Sequence, residues 1–145
     1  MKISTKGRYA LKLMLDLAVY GEGAPVSLKD IAKRQQISDK YLEQIIARLN
    51  KAEYVRSIRG AQGGYVLNKE PEEITVGMIL RLAEGDLSPV SCVGIDSTEC
   101  DRKAECVTVR IWEQINDAVN QVVDNITLAD MVKWQEEKAG YRENL

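Results

Sequence analysis

The chain has 145 residues, of which 45% are hydrophobic, which is enough for one core and an additional helical segment. It has no run of about 18 apolar residues such as a membrane span requires, and its N-terminus lacks the apolar core of a secretion signal, so we expect a cytoplasmic protein. It also has no histidine, no Cys-x-x-Cys motif and no suggestive pair of acids, so we do not expect an enzyme.

The net charge of −2 is unevenly distributed along the chain. Residues 1–69 hold 13 Lys and Arg against 6 Asp and Glu, a net charge of +7, whereas residues 70–145 hold 7 against 16, a net charge of −9. A basic half beside an acidic half indicates that the first half binds an anionic polymer. Uneven surface charge without a binding role is the alternative explanation.

The first half begins with two predicted helices. Apolar residues recur at helical spacing over residues 10–18, which predicts a first helix from about Thr5 to Tyr20. Ser27, with Asp30 three residues later, forms a capping-box-like start for a second helix over residues 28–35. The apolar face of each helix is expected to point into a shared core.

A third helix follows after a short break, with Ser38 as its N-cap and its end near Ala52. Two helices joined by such a tight turn form a helix-turn-helix. The first turns of the third helix are expected to expose polar side chains to the major groove of DNA, where Lys donates to guanine, Glu accepts from cytosine and Gln pairs with adenine. These residues are Ser38, Asp39, Lys40, Tyr41, Glu43 and Gln44.

Two short strand-like runs, residues 54–59 and 65–67, flank the glycine-rich sequence GAQGG and predict a β-hairpin. A helix-turn-helix followed by a hairpin is a winged helix-turn-helix. Its basic residues Arg48, Lys51, Arg56 and Arg59 suit phosphates or the minor groove. GAQGG lacks the Gly-Lys-Ser/Thr end of a phosphate-binding loop, so it does not predict nucleotide binding. A winged helix that binds protein instead of DNA is the alternative, and the charge of +7 favours DNA.

The second half opens with a helix predicted over residues 76–84, after which residues 86–105 show no helical periodicity. All three cysteines of the chain, Cys92, Cys100 and Cys106, lie within fifteen residues in this region. Thiols gathered in a reducing compartment are candidate ligands for a soft metal or an iron–sulfur cluster. Zinc, or bare thiols that oxidise to a disulfide, are the open alternatives.

A long helix is predicted from about Val107 to Asn125, with apolar residues at alternating intervals of three and four. Such a stripe needs a partner surface, and an identical chain is the simplest partner. Packing on the chain's own N-terminal domain is the alternative. Thr127 then begins a last helix that ends near Ala139. The stripe consists of Trp112, Ile115, Val119, Val122 and Ile126.

Nearly the whole chain, about residues 1–134, resembles the IscR/NsrR/CymR family of bacterial transcription regulators. The similarity lies in MKISTKGRYAL, ISDKYLEQIIARL, SIRGAQGGYVL, the three cysteines and NITLADMV. It implies a mainly α fold: a winged helix-turn-helix domain with a small β-hairpin wing over residues 1–84, a cysteine-bearing cluster loop over residues 85–106, and a dimerization helix with a C-terminal helix over residues 107–140. It also implies a homodimer, paired antiparallel through the long helix, and a double-stranded DNA operator with two half-sites.

The resemblance also assigns roles to individual residues. The cysteines fall on the family's cluster-binding positions, which implies an iron–sulfur cluster, of the 2Fe–2S type in preference to 4Fe–4S. Residues near the N-terminus of the chain lie where members often contact the phosphate backbone, and the wing and third helix carry the other contacts. Together with the basic positions above, the expected DNA-binding residues are Thr5, Lys6, Arg8, Ser38, Asp39, Lys40, Tyr41, Glu43, Gln44, Arg48, Arg59, Gly60, Gln62, Gly63 and Gly64.

The chain departs from the family at the fourth cluster ligand. Val109 stands where IscR-like members have a ligating histidine, and Arg8 stands near the position from which NsrR-like members supply a carboxylate. The remaining candidates are another group of the partner subunit, a small thiol, water, or one of the carboxylates Asp96, Glu99, Asp101 and Glu105. Because carboxylate oxygen is a harder ligand than thiolate or imidazole, such a site would hold its cluster weakly, and this lability is a candidate sensing mechanism.

CymR-like members lack the cysteines, and the resemblance to them implies control through a partner enzyme of cysteine synthesis. The opening and the wing of this chain resemble those members closely. Regulation of cysteine metabolism through a partner protein, or through thiol oxidation, is therefore the alternative to cluster sensing.

Overall fold

The computed structural model describes residues 1–94 and 102–143. Within these ranges the chain is mainly helical, with one antiparallel hairpin, which confirms the predicted winged-helix fold. None of the described helices is long and apolar enough to span a bilayer. The elements are α1 (Thr5–Tyr20), α2 (Leu28–Gln35), α3 (Asp39–Lys51), β1 (Val55–Ile58), β2 (Gly64–Leu67), α4 (Val76–Glu84), α5 (Val109–Asp124) and α6 (Leu128–Glu143).

Side-chain caps fix the helix-turn-helix where the sequence predicts it. The hydroxyl of Ser27 accepts a hydrogen bond from the amide of Asp30 at 3.2 Å, and that of Ser38 accepts from the amide of Tyr41 at 3.3 Å. Each cap satisfies one of the amides that a helix N-terminus leaves without an internal partner. Gln36 ends α2 in the left-handed region, with φ of 55°, so the chain turns directly into α3.

The wing is a short hairpin that rests on the loop between α1 and α2. In it, Val55 pairs with Leu67 and Ile58 with Gly64. Strand β1 is therefore shorter than predicted, and β2 begins earlier than predicted. The backbone of Val26 forms a third edge, donating to the carbonyl of Tyr65 at 3.0 Å and accepting from its amide at 2.8 Å. A side-chain carbon at Gly64 would overlap the carbonyl oxygen of Val26, so only glycine permits this approach of the two backbones.

The main core surrounds α1 and draws residues from α2, α3, β1, α4 and α6. One buried polar side chain interrupts it: Asp16, which is 1% exposed, accepts from Arg34 Nε at 3.0 Å, from Arg34 Nη2 at 2.7 Å and from Gln35 Nε2 at 2.9 Å. This hydrogen bonding raises the pKa of Arg34. The network ties α2 to α1 and so fixes the helix-turn-helix on the core.

The C-terminal helices join the first half of the chain by two routes. Arg81 of α4 donates to Asp124 of α5 at 2.6 and 3.0 Å and to Asn120 at 2.8 Å, and its hydrogen bonds to Asp124 lower the pKa of that carboxyl. Helix α6 packs on α1, with Leu128 fully buried in the main core. The predicted domain division places the C-terminal helix in one segment with the dimerization helix. In the structure, the C-terminal helix also completes the core of the winged helix.

The ends of the last two helices correct the predicted boundaries. Helix α5 begins at Val109, two residues later than expected, and ends at Asp124, so Ile126 lies beyond it. Helix α6 does not end near Ala139 but continues through Gly140 to Glu143. A single glycine costs a helix only about 1 kcal/mol relative to alanine, so it need not end one. Thr127 and Asp130 exchange two hydrogen bonds at the start of α6, a complete capping box.

Candidate nucleic-acid interface and thiol site

The N-terminus of α1 carries three of the expected DNA-binding residues and is held by a distant side chain. Thr5 is half-buried, while Lys6 and Arg8 are exposed. The hydroxyl of Ser4 does not cap its own helix. Instead Glu84, at the end of α4, accepts from the amide and hydroxyl of Ser4 at 2.8 and 2.6 Å and from the amide of Gly7 at 3.2 Å.

The outer face of α3 presents the predicted polar set to solvent. Ser38, Asp39, Lys40, Glu43, Gln44 and Arg48 are all exposed. Tyr41 differs from the expectation because it is half-buried and packs edge-on against Tyr9, with 5.2 Å between ring centroids. Tyr41 lies at the position where its face of α3 turns toward α1, which is why a residue in the middle of the polar run is partly covered.

The wing divides its glycines between two roles. Arg59, Gly60 and Gln62 are exposed at the tip, and Gly60 has a φ of +120°, a conformation that other residues rarely adopt. Gly63 and Gly64 are half-buried, and a side chain at either would overlap backbone carbonyl oxygens of the fold. The tip is therefore the most accessible part of the wing, while Gly63 and Gly64 also close the hairpin.

Cys92 is half-buried in a short 3-10 turn (Ser91–Val93) that lies against α5. The side-chain amide of Asn116 donates to the carbonyl of Val93 at 3.3 Å and anchors this turn. Beside Cys92 is a polar depression of about 320 Å³ that Lys103, Glu113 and Asp117 also line. The anchoring residue, Asn116, was not predicted, because nothing local in the sequence links it to position 93.

Cys106 lies just before the start of the same helix. Its sulfur is 3.1 Å from the hydroxyl oxygen of Thr108. Hydrogen bonding to this hydroxyl, and to the backbone amides of Val109 and Thr108, lowers the pKa of the Cys106 thiol. The thiolate is the form that binds metals, so this position favours a ligand.

The donor chemistry fits a soft metal centre, although the described residues do not assemble one. Cys100 lies outside the described residues, as do the candidate ligands Asp96, Glu99 and Asp101. Within residues 1–94 and 102–143 there is no group of three or more His, Cys, Asp or Glu placed to hold a metal ion. Glu105 is exposed, and Val109 is 7% exposed with an apolar side chain that cannot ligate. Cys92 and Cys106 are nevertheless both fixed to the first turns of α5.

The residues of the predicted apolar stripe of α5 lie in two different environments. Val119 and Ile126 pack within the chain, on a second cluster that contains Val76 and Leu80 of α4. Trp112 and Ile115 are half-buried, and Val122 is 57% exposed. Ile111 and Ala118, which do not belong to the predicted stripe, are exposed at helical spacing with Ile115 and Val122. The outward stripe of α5 is therefore Ile111, Ile115, Ala118 and Val122.

Comparison with known proteins gives consistent matches over almost the full chain. The model of the Rrf2 family, described as iron-dependent transcriptional regulators, matches residues 3–134. The HTH-type transcriptional regulator CymR of Bacillus subtilis is 48% identical over 135 residues, 92% of this chain and 91% of that protein. The structure of CymR (YrzC), the global cysteine regulator of B. subtilis, matches with a TM-score of 0.80 and 44% identity over 92% of this chain and 98% of that one. The structure of T. potens IscR matches with a TM-score of 0.79 and 47% identity, covering 95% and 90% of the two chains.

Proposed function

The chain belongs to the Rrf2 family of transcriptional regulators, and we propose that it acts as a homodimer that binds a DNA operator and senses an iron–sulfur cluster or redox state through its cysteines. The observation that carries the proposal is the set of exposed polar and charged side chains on α3, a helix that packs against both α1 and strand β1 of the wing. This face belongs to the half of the chain with a net charge of +7. A polyanion is the natural partner of such a surface.

Within the interface we assign different roles to the exposed side chains. Lys40, Glu43 and Gln44 have donors and acceptors that match base edges in the major groove. Lys6, Arg8, Arg48 and Arg59 are cations suited to phosphate oxygens, which set position and orientation without reading sequence. Because a dimer presents two such faces, the operator would have two half-sites about one helical turn apart.

A continuous set of contacts connects the cysteine segment to this interface. Asn116 and Thr108 hold the segments of Cys92 and Cys106 to α5, and Arg81 holds α5 to α4. Glu84 then holds α4 to the N-terminus of α1. We propose that the occupancy of the thiol site changes the position of α5 and α4, and through them the spacing of the two DNA-binding faces.

The cluster itself is proposed from the donor set. Cys92, Cys100 and Cys106 would hold it, with 2Fe–2S the more favoured type, and zinc is the alternative that three thiolates and one oxygen would also suit. When bound, such a cluster would serve as the sensor, because its occupancy changes with iron supply and with oxidation. The Glu113 and Asp117 carboxylates, in the depression beside Cys92, join Glu105 as candidates for the fourth position.

The DNA-binding proposal is tested by measuring the fluorescence anisotropy of labelled operator DNA over a series of salt concentrations. We expect affinity to fall steeply as salt rises, and Glu43→Ala to reduce the preference for operator over random DNA by about 5- to 100-fold, the effect of losing one base contact. Arg59→Ala is the matched comparison, since loss of a phosphate contact should weaken both DNAs equally. A salt-independent affinity would contradict DNA binding and support a protein-binding winged helix.

The cluster proposal is tested on protein purified without oxygen, by visible absorbance and by iron, sulfide and zinc content. We expect coloured protein with iron and sulfide in cluster proportion, and loss of both in Cys92→Ala while the helical circular dichroism spectrum is kept. The second candidate function is regulation of cysteine metabolism without a cluster, which the 48% identity to CymR favours. Colourless, iron-free protein that binds operator would support that candidate, acting through a partner enzyme or through thiol oxidation.

A further inference from the structure

A depression of about 300 Å³ lies between α1, α3 and α4, on the side of α3 that faces the start of α1. Its volume is at the small end of the range for ligand sites. The floor is apolar and built from core residues, so it is shaped by the fold and not by mobile surface side chains. The floor residues are Ala10, Ile45, Leu49 and Ile79, all buried.

The mouth of this depression is cationic. Lys6 of α1 and Arg48 of α3 line it and are exposed, and Arg48 Nη1 lies 3.5 Å from the carbonyl oxygen of Ala83 in α4, which places the guanidinium across the opening. Among residues 1–94 and 102–143, no acidic side chain lines the depression. The nearest acid along α4, Glu84, is engaged by Ser4 and Gly7, and the ion pairs of the described residues do not include Lys6 or Arg48.

We propose that this depression binds a small amphipathic organic anion, with its apolar body on the floor and its carboxylate or sulfonate between Lys6 and Arg48. Burial of the body supplies the free energy of binding, and the two cations select the charge of the head group. The mouth also includes Gln44, a proposed base-reading residue, so the occupant and operator DNA exclude each other. This last step rests on the proposed function.

The test uses the full-length protein with methyl-labelled isoleucine and two probes of equal length and opposite charge, hexanoate and hexylamine. We expect hexanoate to shift the methyl resonances of Ile45 and Ile79 saturably and hexylamine to leave them unchanged. Lys6→Gln and Arg48→Gln should each weaken hexanoate binding by about threefold or more, the effect of losing one surface charge contact. Lys33→Gln, which removes an exposed cation on α2 that does not line the depression, is the matched control.

The same samples then separate the proposal from DNA binding itself. At ten times its dissociation constant, hexanoate should raise the apparent Kd for operator DNA about tenfold, as expected for mutual exclusion. Equal binding of the two probes would overturn the proposal. Methyl shifts that depend on protein concentration alone would also overturn it, because they would show that a second copy of the chain occupies the depression. Saturable hexanoate binding without an effect on operator affinity would overturn the exclusion. Failure of the ligand-free protein to bind operator would instead overturn the proposed function.

Discussion

Cys92 and Cys106 are both held next to α5, but their environments differ. The turn that holds Cys92 is fixed by Asn116, which donates to the carbonyl of the neighbouring Val93. Among the described residues, none forms a hydrogen bond with the Cys92 sulfur. Cys106 is contacted through its sulfur, by the hydroxyl of Thr108 and by backbone amides at the start of α5, which lower the pKa of its thiol. Because the pKa of Cys106 is lowered, more of its thiol is present near neutral pH as thiolate, the reactive form.

Thr108→Val should therefore raise the pKa of Cys106 and slow its alkylation at neutral pH by several-fold. The folded-state pKa is lowered in the native chain, so removing the hydroxyl moves the pH midpoint of alkylation upward, toward the ordinary value. The measurement is the rate of reaction with iodoacetamide in metal-free protein at a series of pH values, followed for each cysteine by peptide mass spectrometry. Thr108→Ser, which keeps a hydroxyl, is the control, and an unchanged midpoint in Thr108→Val would remove Thr108 as the cause.

Helix α1 depends on α4 for its first turn. Its own N-cap residue, Ser4, makes no side-chain cap, and Glu84 supplies the acceptor from a position 80 residues later. A carboxylate at a helix N-terminus also interacts favourably with the helix dipole. A side-chain carbon at Gly7 would overlap the Glu84 carboxylate, so the absence of a side chain there is part of the same contact.

Replacing Glu84 with alanine should lower the free energy of unfolding by about 1 kcal/mol, the usual effect of losing an N-cap. The amide of Gly7 should lose protection from hydrogen exchange, and operator affinity should fall because Thr5, Lys6 and Arg8 are no longer held in place. The measurements are thermal unfolding, amide exchange and fluorescence anisotropy. Glu137→Ala, which removes an exposed carboxylate of α6, is the control and should change none of them. Protection of Gly7 that survives Glu84→Ala would show that α1 is capped in another way.

At the scale of the whole molecule, an apolar face of α5 has no partner among the described residues of the chain. Residues Ile111 and Val122 of α5 are 49% and 57% exposed, whereas Val119, about 60° around the same helix from Val122, packs against α4. An exposed apolar stripe on a long helix is typical of a self-complementary interface. A second copy of α5 is its proposed partner.

Two substitutions on α5 separate assembly from folding. Val122→Glu should convert the dimer to a monomer, as measured by sedimentation velocity, keep the helical circular dichroism spectrum and weaken operator binding through loss of the second half-site. Val119→Glu should instead lower the free energy of unfolding by about 2 kcal/mol or more, because it buries a charge in the α4–α5 contact. A dimeric Val122→Glu protein would contradict the proposed interface.

Local sequence patterns were sufficient to predict the helix-turn-helix. The caps at Ser27 and Ser38 predicted the first residues of α2 and α3, and apolar periodicity predicted the extent of α1 and α2, because capping and periodicity depend on residues only a few positions apart. The polar face of α3 followed from the same spacing, except at Tyr41, whose burial depends on the ring of Tyr9.

Contacts between residues far apart in the sequence became apparent only from the folded chain. Tertiary packing places Glu84 next to Ser4, Arg81 next to Asp124 and Asn116 next to Val93, and it forms the depression between α1, α3 and α4. The apolar residues of α5 extend around more than one face of the helix, and α4 covers only one side of it. Val119 is therefore packed inside the chain, whereas Val122 is exposed. A periodic pattern fixes which residues share a helix face, but the packing of other elements fixes which face is covered.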